Sequence, residues 1–179
     1  MKKSIVDLLE AYPLPEQKDK PPYKIYCDMD GVLTNFESRF EHYSGMHPQD
    51  YEKKYGLPAF WELIDVKIGV KFWIGMDWMP DGKELWDFVK DHNPTILTGL
   101  PIGKWAAPQK KAWCVNKLGT NIPVITCMSK DKHLYCSPGD ILIDDRESTR
   151  KSWEEAGGIF ILHTSAEESI NQLVVEVYL

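Results

Sequence analysis

Five short apolar runs, set apart by helix-like stretches, constrain this chain more than any other feature. They are Lys24-Ile25-Tyr26-Cys27, Thr95-Ile96-Leu97, Val124-Ile125-Thr126-Cys127, Ile141-Leu142-Ile143 and Ile159-Phe160-Ile161-Leu162. Each is close to continuously apolar, the pattern of a strand covered on both faces of a parallel sheet. Helical stretches fall between them. Glu84, Leu85, Trp86, Phe88 and Val89 suggest one helix. Residues 108–118 suggest another, with Pro108 near its start and Gly119 as its stop. Residues 147–156 run up to Gly157-Gly158, and 166–178 close the chain. Strands alternating with helices predict an α/β fold: a Rossmann-like parallel sheet flanked by helices and joined by right-handed crossovers.

Residues 36–80 break the alternation. They carry Phe36, Phe40, Tyr43, Tyr51, Tyr55, Phe60, Trp61, Phe72, Trp73 and Trp78 but no strand-like run. A stretch this long is not an ordinary loop, so a small helical cap inserted after the first strand is expected. The domain reading is therefore an α/β core over 23–35 and 81–179, with the cap over 36–80. Residues 1–22 form an N-terminal appendage, in which 4–12 suggest a short helix capped by Ser4 and Pro13, Pro15, Pro21 and Pro22 enforce an extended connection.

Composition narrows the function classes. Hydrophobic residues make up 43% of 179 and charged residues 27%, ordinary for a globular protein. The net charge of −6 argues against an extended nucleic-acid surface. No apolar run approaches the roughly 18 residues that would span a bilayer, and Asp7 and Glu10 interrupt any signal-like start. Cys27, Cys114, Cys127 and Cys136 are too dispersed for a zinc or redox motif, so reduced structural thiols and a cytoplasmic location are expected.

The chemistry lies at the strand ends. Asp28-Met29-Asp30-Gly31 directly follows the first run, and Asp144-Asp145 ends the fourth. Carboxylates do not sit unpaired inside buried strands, where each would cost about several kcal/mol. They belong at the carboxyl ends, where α/β sheets open their crevice, and Gly31 lets the chain turn there. If the two strands are neighbours, four carboxylates converge. Such a group calls for a cation, and an oxygen-only donor set points to Mg²⁺. Thr98-Gly99 offers a hydroxyl and a backbone N–H to a phosphate oxygen, and Ser129-Lys130-Asp131-Lys132 provides ammonium groups. Rings from 36–80 beside such a site suit a lid that stacks on a substrate base, with Phe36, Phe72, Trp73 and Trp61 as candidates. His42, His47, His92, His133 and His163 have no partner at metal-ligand spacing and read as surface or structural.

In this order (Asp28-Met29-Asp30-Gly31-Val32, Thr98, a lysine, Asp144-Asp145) the sequence resembles the haloacid dehalogenase-like hydrolase superfamily over about 24–165. Within it, several stretches resemble the 5′(3′)-deoxyribonucleotidases. These are Asp30-Gly31-Val32-Leu33 followed by Phe36, Phe72-Trp73, Trp78-Met79-Pro80-Asp81-Gly82, Trp113 with Leu118-Gly119, and Asp131-Lys132 ahead of Gly139–Arg146. The resemblance implies that Asp28 is a nucleophile forming an aspartyl-phosphate and Asp30 the general acid and then base. It implies that the Asp28 carboxylate, the Asp30 carbonyl and Asp144 or Asp145 hold Mg²⁺. Thr98 and Gly99 would bind phosphate oxygens, Lys132 would neutralise charge, and Lys111 would be an auxiliary cation. Phe36 stands where the family contacts a base. Two departures stand out: Gly99 replaces a serine usual in these nucleotidases, which removes a hydroxyl donor, and a short insertion surrounds Cys136-Ser137-Pro138.

The implied function is a Mg²⁺-dependent phosphomonoesterase acting on a small molecule, a nucleoside monophosphate, with a homodimer left open. The alternatives are a phosphatase of the same superfamily acting on a sugar phosphate or a nucleic-acid end, a phosphotransferase or mutase, or a non-catalytic phosphate-binding module. The presence of both Asp28 and Asp30 argues against the last, since binding alone needs no proton donor.

Overall fold

The computed structural model describes residues 23–178; the predicted appendage and its 4–12 helix lie outside the described residues. Five strands form one parallel sheet: β1 (Ile25–Cys27), β2 (Thr95–Gly99), β3 (Val124–Cys127), β4 (Ile141–Asp144) and β5 (Ile159–Leu162). Their spatial order is β3-β2-β1-β4-β5. The chain builds outward from β1 through β2 to β3, then crosses back to lay β4 and β5 on the other side. β1 is thus the centre of the sheet, and the order reverses between β1 and β4, the position at which open α/β sheets bind ligands.

Alternation along the strands sorts their side chains onto two faces. Ile25, Cys27, Ile96, Ile141, Ile143 and Ile161 join one core; Tyr26, Leu97, Leu142 and Phe160 join the other with Trp153. The edge strand β3 departs from the expected double coverage, since Val124, Ile125 and Thr126 are only half-buried. An edge position has a neighbour on one side only, so fewer helices reach over it.

The helical insert spans α1 (Phe36–Ser44), α2 (Pro48–Tyr55), α3 (Leu57–Glu62), a π-helical segment (Leu63–Ile68) and α4 (Lys71–Ile74). Asn35 starts α1 by accepting from the Ser38 N–H, and Pro48 opens α2 where its missing N–H is not needed. The insert packs on its own rings: Phe40 stacks on Phe60 with centroids 4.5 Å apart and meets Tyr51 edge-on at 5.3 Å. Its two connections to the sheet are laced together at a neck, where Met79 N–H donates to the Leu33 carbonyl at 2.7 Å and Asn35 N–H to Asp77 at 2.9 Å.

Around the sheet lie α5 (Gly82–Val89), α6 (Ala107–Leu118), α7 (Arg150–Glu155) and α8 (Ala166–Tyr178). The helix expected over 147–156 begins as a 3-10 turn, Glu147–Thr149, before α7. All four cysteines are free thiols. Burial pushes the Cys114 thiol up to about 12 and those of Cys127 and Cys136 up to about 11, so none is a reactive thiolate at neutral pH. No helix among the described residues is long and apolar enough to cross a membrane.

Candidate active site

The register of three strands assembles the site. Cys27 lies beside Ile143 of β4 and Ile96 of β2, and the Asp28 N–H donates to the Ile143 carbonyl at 2.9 Å. Asp28 therefore leaves β1 level with the end of β4. The chain then folds into a tight loop in which the Met29 carbonyl accepts from the N–H groups of Leu33 and Thr34, both at 2.8 Å. Gly31 is required there twice over. Its φ is +79°, and a Cβ would collide with the Asp145 carboxylate.

Asp28, Asp144 and Asp145 each bring a carboxylate oxygen within 4.8 Å of the others. One ammonium is set among them. Lys132, 1% exposed, places Nζ 2.9 Å from Asp28 Oδ2 and 2.7 Å from Asp144 Oδ2. Burial alone would lower its pKa, but attraction to Asp28 and Asp144 outweighs burial and holds it above the ordinary lysine value. Asp144 is fully buried, and its pKa is raised by burial and then by Asp28, against the pull of Lys132; its Oδ1 also accepts from the Arg146 N–H at 2.9 Å. The Asp145 carboxyl is pushed up to about 7, first by desolvation and then by Asp28 and Asp144. One ammonium among three carboxylates leaves an excess of negative charge on hard oxygen donors. That donor set fits a divalent cation such as Mg²⁺.

Asp30 has different partners. Its Oδ1 is 3.0 Å from the Thr34 hydroxyl and its Oδ2 is 2.5 Å from Lys110 Nζ. Lys110 also donates to the Gly99 carbonyl at 2.6 Å and to Thr98 Oγ1 at 3.0 Å, and lies 4.3 Å from the centroid of the Trp73 ring. The ammonium thus links the end of β2, the loop after β1 and the insert.

A cavity of about 520 Å³ opens over these groups, between the sheet and the insert. Asp28, Asp30, Gly99, Lys110, Ser129 and Asp145 line its floor, and Phe36, Phe60, Trp61 and Trp73 stand on its insert side with Glu37, Gln49 and Glu52. This volume suits a small molecule.

The sequence-derived candidates separate into those the cavity gathers and those it does not. Asp28, Asp30, Gly99, Asp145, Phe36 and Trp73 line it. Lys132 and Asp144 sit beside Asp28 behind its wall, and Thr98 is fully buried with its hydroxyl turned to Lys110. Lys111 is corrected. It is exposed, and Lys110 stands at the site instead. The signal was present, because Lys110 lies three and four residues before the buried Trp113 and Cys114 on the same helix face, whereas Lys111 is turned off that face. Phe72 is also corrected: it is 0% exposed and packs edge-on against Phe36 at 5.3 Å, within the insert's core and not on the cavity. Ser129 and Arg146 line the cavity although the sequence did not mark them as site residues.

No family model and no curated protein matches the sequence. Solved structures do match the fold. A hydrolase from Streptococcus pneumoniae TIGR4 superposes with a TM-score of 0.50 over 86% of this chain and 97% of its own, at 13% identity. A haloacid dehalogenase-like hydrolase from Burkholderia xenovorans LB400 gives 0.50 over 88% and 90%, at 12% identity. The chain has the haloacid dehalogenase-like fold. Within this fold the acidic cluster occupies the crevice at the carboxyl end of the central strand, where the order of strands reverses.

Proposed function

We propose that the chain is a Mg²⁺-dependent phosphomonoesterase, with nucleoside monophosphates as substrates. The observation that carries this reading is the convergence of Asp28, Asp30, Lys132, Asp144 and Asp145 beside one cavity of small-molecule size. Asp28 is the nucleophile: its carboxylate oxygen attacks phosphorus, the P–O bond to the leaving alkoxide breaks, and Asp30 gives that oxygen a proton. In the second half water attacks phosphorus of the aspartyl-phosphate while Asp30 takes the water's proton; the P–O bond to Asp28 breaks, which regenerates the Asp28 carboxylate and releases inorganic phosphate. Lys132 offsets the charge of the nucleophile. In the substrate-free arrangement Lys110 pairs with Asp30. An arriving phosphate would compete with Asp30 for that ammonium. Asp28, Asp144, Asp145 and the Asp30 carbonyl would hold Mg²⁺, which supplies electrostatic stabilisation of the transferring phosphoryl group when bound.

Residues 36–80 serve in this reading as a cap that keeps water from the reacting centre. Phe36 and Trp61, both half-buried, bring aromatic rings to the cavity's insert side, which suits a nucleobase. Phosphate release from nucleoside monophosphates, sugar phosphates and p-nitrophenyl phosphate, with and without Mg²⁺, tests both levels. Mg²⁺-dependent release is expected, highest in kcat/KM with nucleoside monophosphates, and Asp28→Asn is expected to lower turnover at least about 1,000-fold without loss of fold. Equal feeble turnover of every ester would remove the nucleotide assignment, and no release from any ester would remove the phosphatase.

A further inference from the structure

β2 ends on a residue with no side chain, and the space a side chain would take is already filled. A Cβ built on Gly99 would collide with Ser129 Oγ. The sheet explains the encounter. Gly99 is the register partner of Cys127 on β3, and the Leu100 N–H donates to the Cys127 carbonyl at 2.8 Å. Two residues past Cys127 the chain enters a 3-10 turn, Ser129–Tyr135, and its first residue leans back over the end of β2. Gly99 and Ser129 both line the cavity, on the floor that holds Asp28, Asp30 and Lys110.

The hydroxyl groups nearby have different fates. That of Thr98 is occupied by Lys110 at 3.0 Å, and Thr98 itself does not line the cavity. Ser129 is half-buried and its hydroxyl has no hydrogen-bond partner among the described residues. The position resembling a nucleotidase serine is therefore a glycine, while a free hydroxyl from the neighbouring strand's exit fills that glycine's missing side-chain space.

We propose that Ser129 Oγ donates a hydrogen bond to a phosphate oxygen of the substrate, supplying from the end of β3 the hydroxyl that position 99 lacks. This rests on the phosphomonoesterase reading. A hydroxyl that lines the cavity without a partner among the described residues has no hydrogen bond to give up before it meets a developing charge on a transferring phosphoryl group.

The test compares wild type with Ser129→Ala, Ser129→Gly/Gly99→Ser and Ser129→Gly/Gly99→Ala. It measures kcat/KM on p-nitrophenyl phosphate, binding of inorganic phosphate by calorimetry in the presence of Mg²⁺, and Tm. Ser129→Ala is expected to lower kcat/KM and weaken phosphate binding, each about tenfold or more, with Tm little changed. Removing the Ser129 side chain opens the space for a Cβ at 99. Gly99→Ser in that background is then expected to recover most of the loss, and Gly99→Ala, which fills the same space without a hydroxyl, to recover none. Wild-type phosphate binding and turnover in Ser129→Ala would overturn the proposal while leaving the phosphatase standing. Equal recovery by Ala and Ser at 99 would also overturn it, since the residue would then be filling space only. Wild type that binds phosphate but hydrolyses no ester would sink the enzyme reading alone, with the calorimetry still deciding on Ser129. Absence of phosphate binding in wild type would overturn both.

Discussion

Lys132 shows how little freedom single residues have here. Its ammonium is 1% exposed and bonded to carboxylates from two adjacent strands. Removing one partner of a buried ionic group leaves the others uncompensated, typically at a cost of about 3–5 kcal/mol. Lys132→Met is therefore expected to lose about that much stability in urea unfolding, and Mg²⁺, by restoring positive charge beside Asp28 and Asp144, to return part of it. A loss under about 1 kcal/mol, or one indifferent to Mg²⁺, would contradict the charge balance described. Gly31 is the complementary case, fixed by shape. A side chain at φ +79° costs about 1–2 kcal/mol, and the Cβ would also displace the Asp145 carboxylate. Gly31→Ala should consequently lose stability and weaken Mg²⁺ binding together, both readable by titrating the metal while following Tm.

At the scale of elements, the sequence announced strands and helices better than it announced which faces they would present. The five strand positions were legible because buried parallel strands leave continuous apolar runs, and the acidic doublets could be placed at their ends by the cost of burying charge. Lys110 and not Lys111 stands at the site because it shares a helix face with the buried Trp113 and Cys114, three and four residues on. Phe72 shows why the sequence does not separate cavity from core in the insert: an aromatic that lines a lid and one that fills its core are the same letter. The insert's stacked rings should be essential to its integrity: Phe40→Ala, at a site that is 0% exposed, is expected to cost about 3–5 kcal/mol in chemical denaturation. At the opposite edge, His163 follows β5 and bonds to Ser169 of α8 through Nδ1 at 2.9 Å. Burial holds its pKa below 6.5, against a smaller opposing pull from Asp81. The unfolded chain therefore takes up the proton at about 6.5 and the folded chain only at lower pH, so this contact loses stability as pH falls through that interval. The stability difference between wild type and His163→Gln, followed from pH 7.5 to 5, should shrink toward acid; a constant difference would show that the imidazole is not held neutral.

For the whole molecule, topology turns distant sequence into one site. Asp28 and Asp144 stand far apart in the chain, yet β1 and β4 are neighbours, with Tyr26 beside Leu142. The doublets could be recognised as strand ends from composition, but their adjacency follows from the crossover that returns the chain from β3 to the other side of β1, and nothing local encodes that. The crowding carries a pH signature of its own. With its carboxyl raised to about 7, Asp145 favours the folded state at acid pH, where it is protonated, and this contribution is lost as pH rises toward 7. Without divalent cations, stability that depends on Asp145 should decline from pH 5 to 7.5, and saturating Mg²⁺ should abolish the decline, as should Asp145→Asn. The proposed reaction depends on the Asp28 carboxylate being the nucleophile toward phosphorus. The most direct measurement is to quench turnover of a phosphomonoester in acid and map covalent phosphate by peptide mass. An acyl-phosphate is expected on the peptide carrying Asp28, absent in Asp28→Asn. Phosphate on another residue, or brisk turnover with none on the protein, would contradict that role for Asp28.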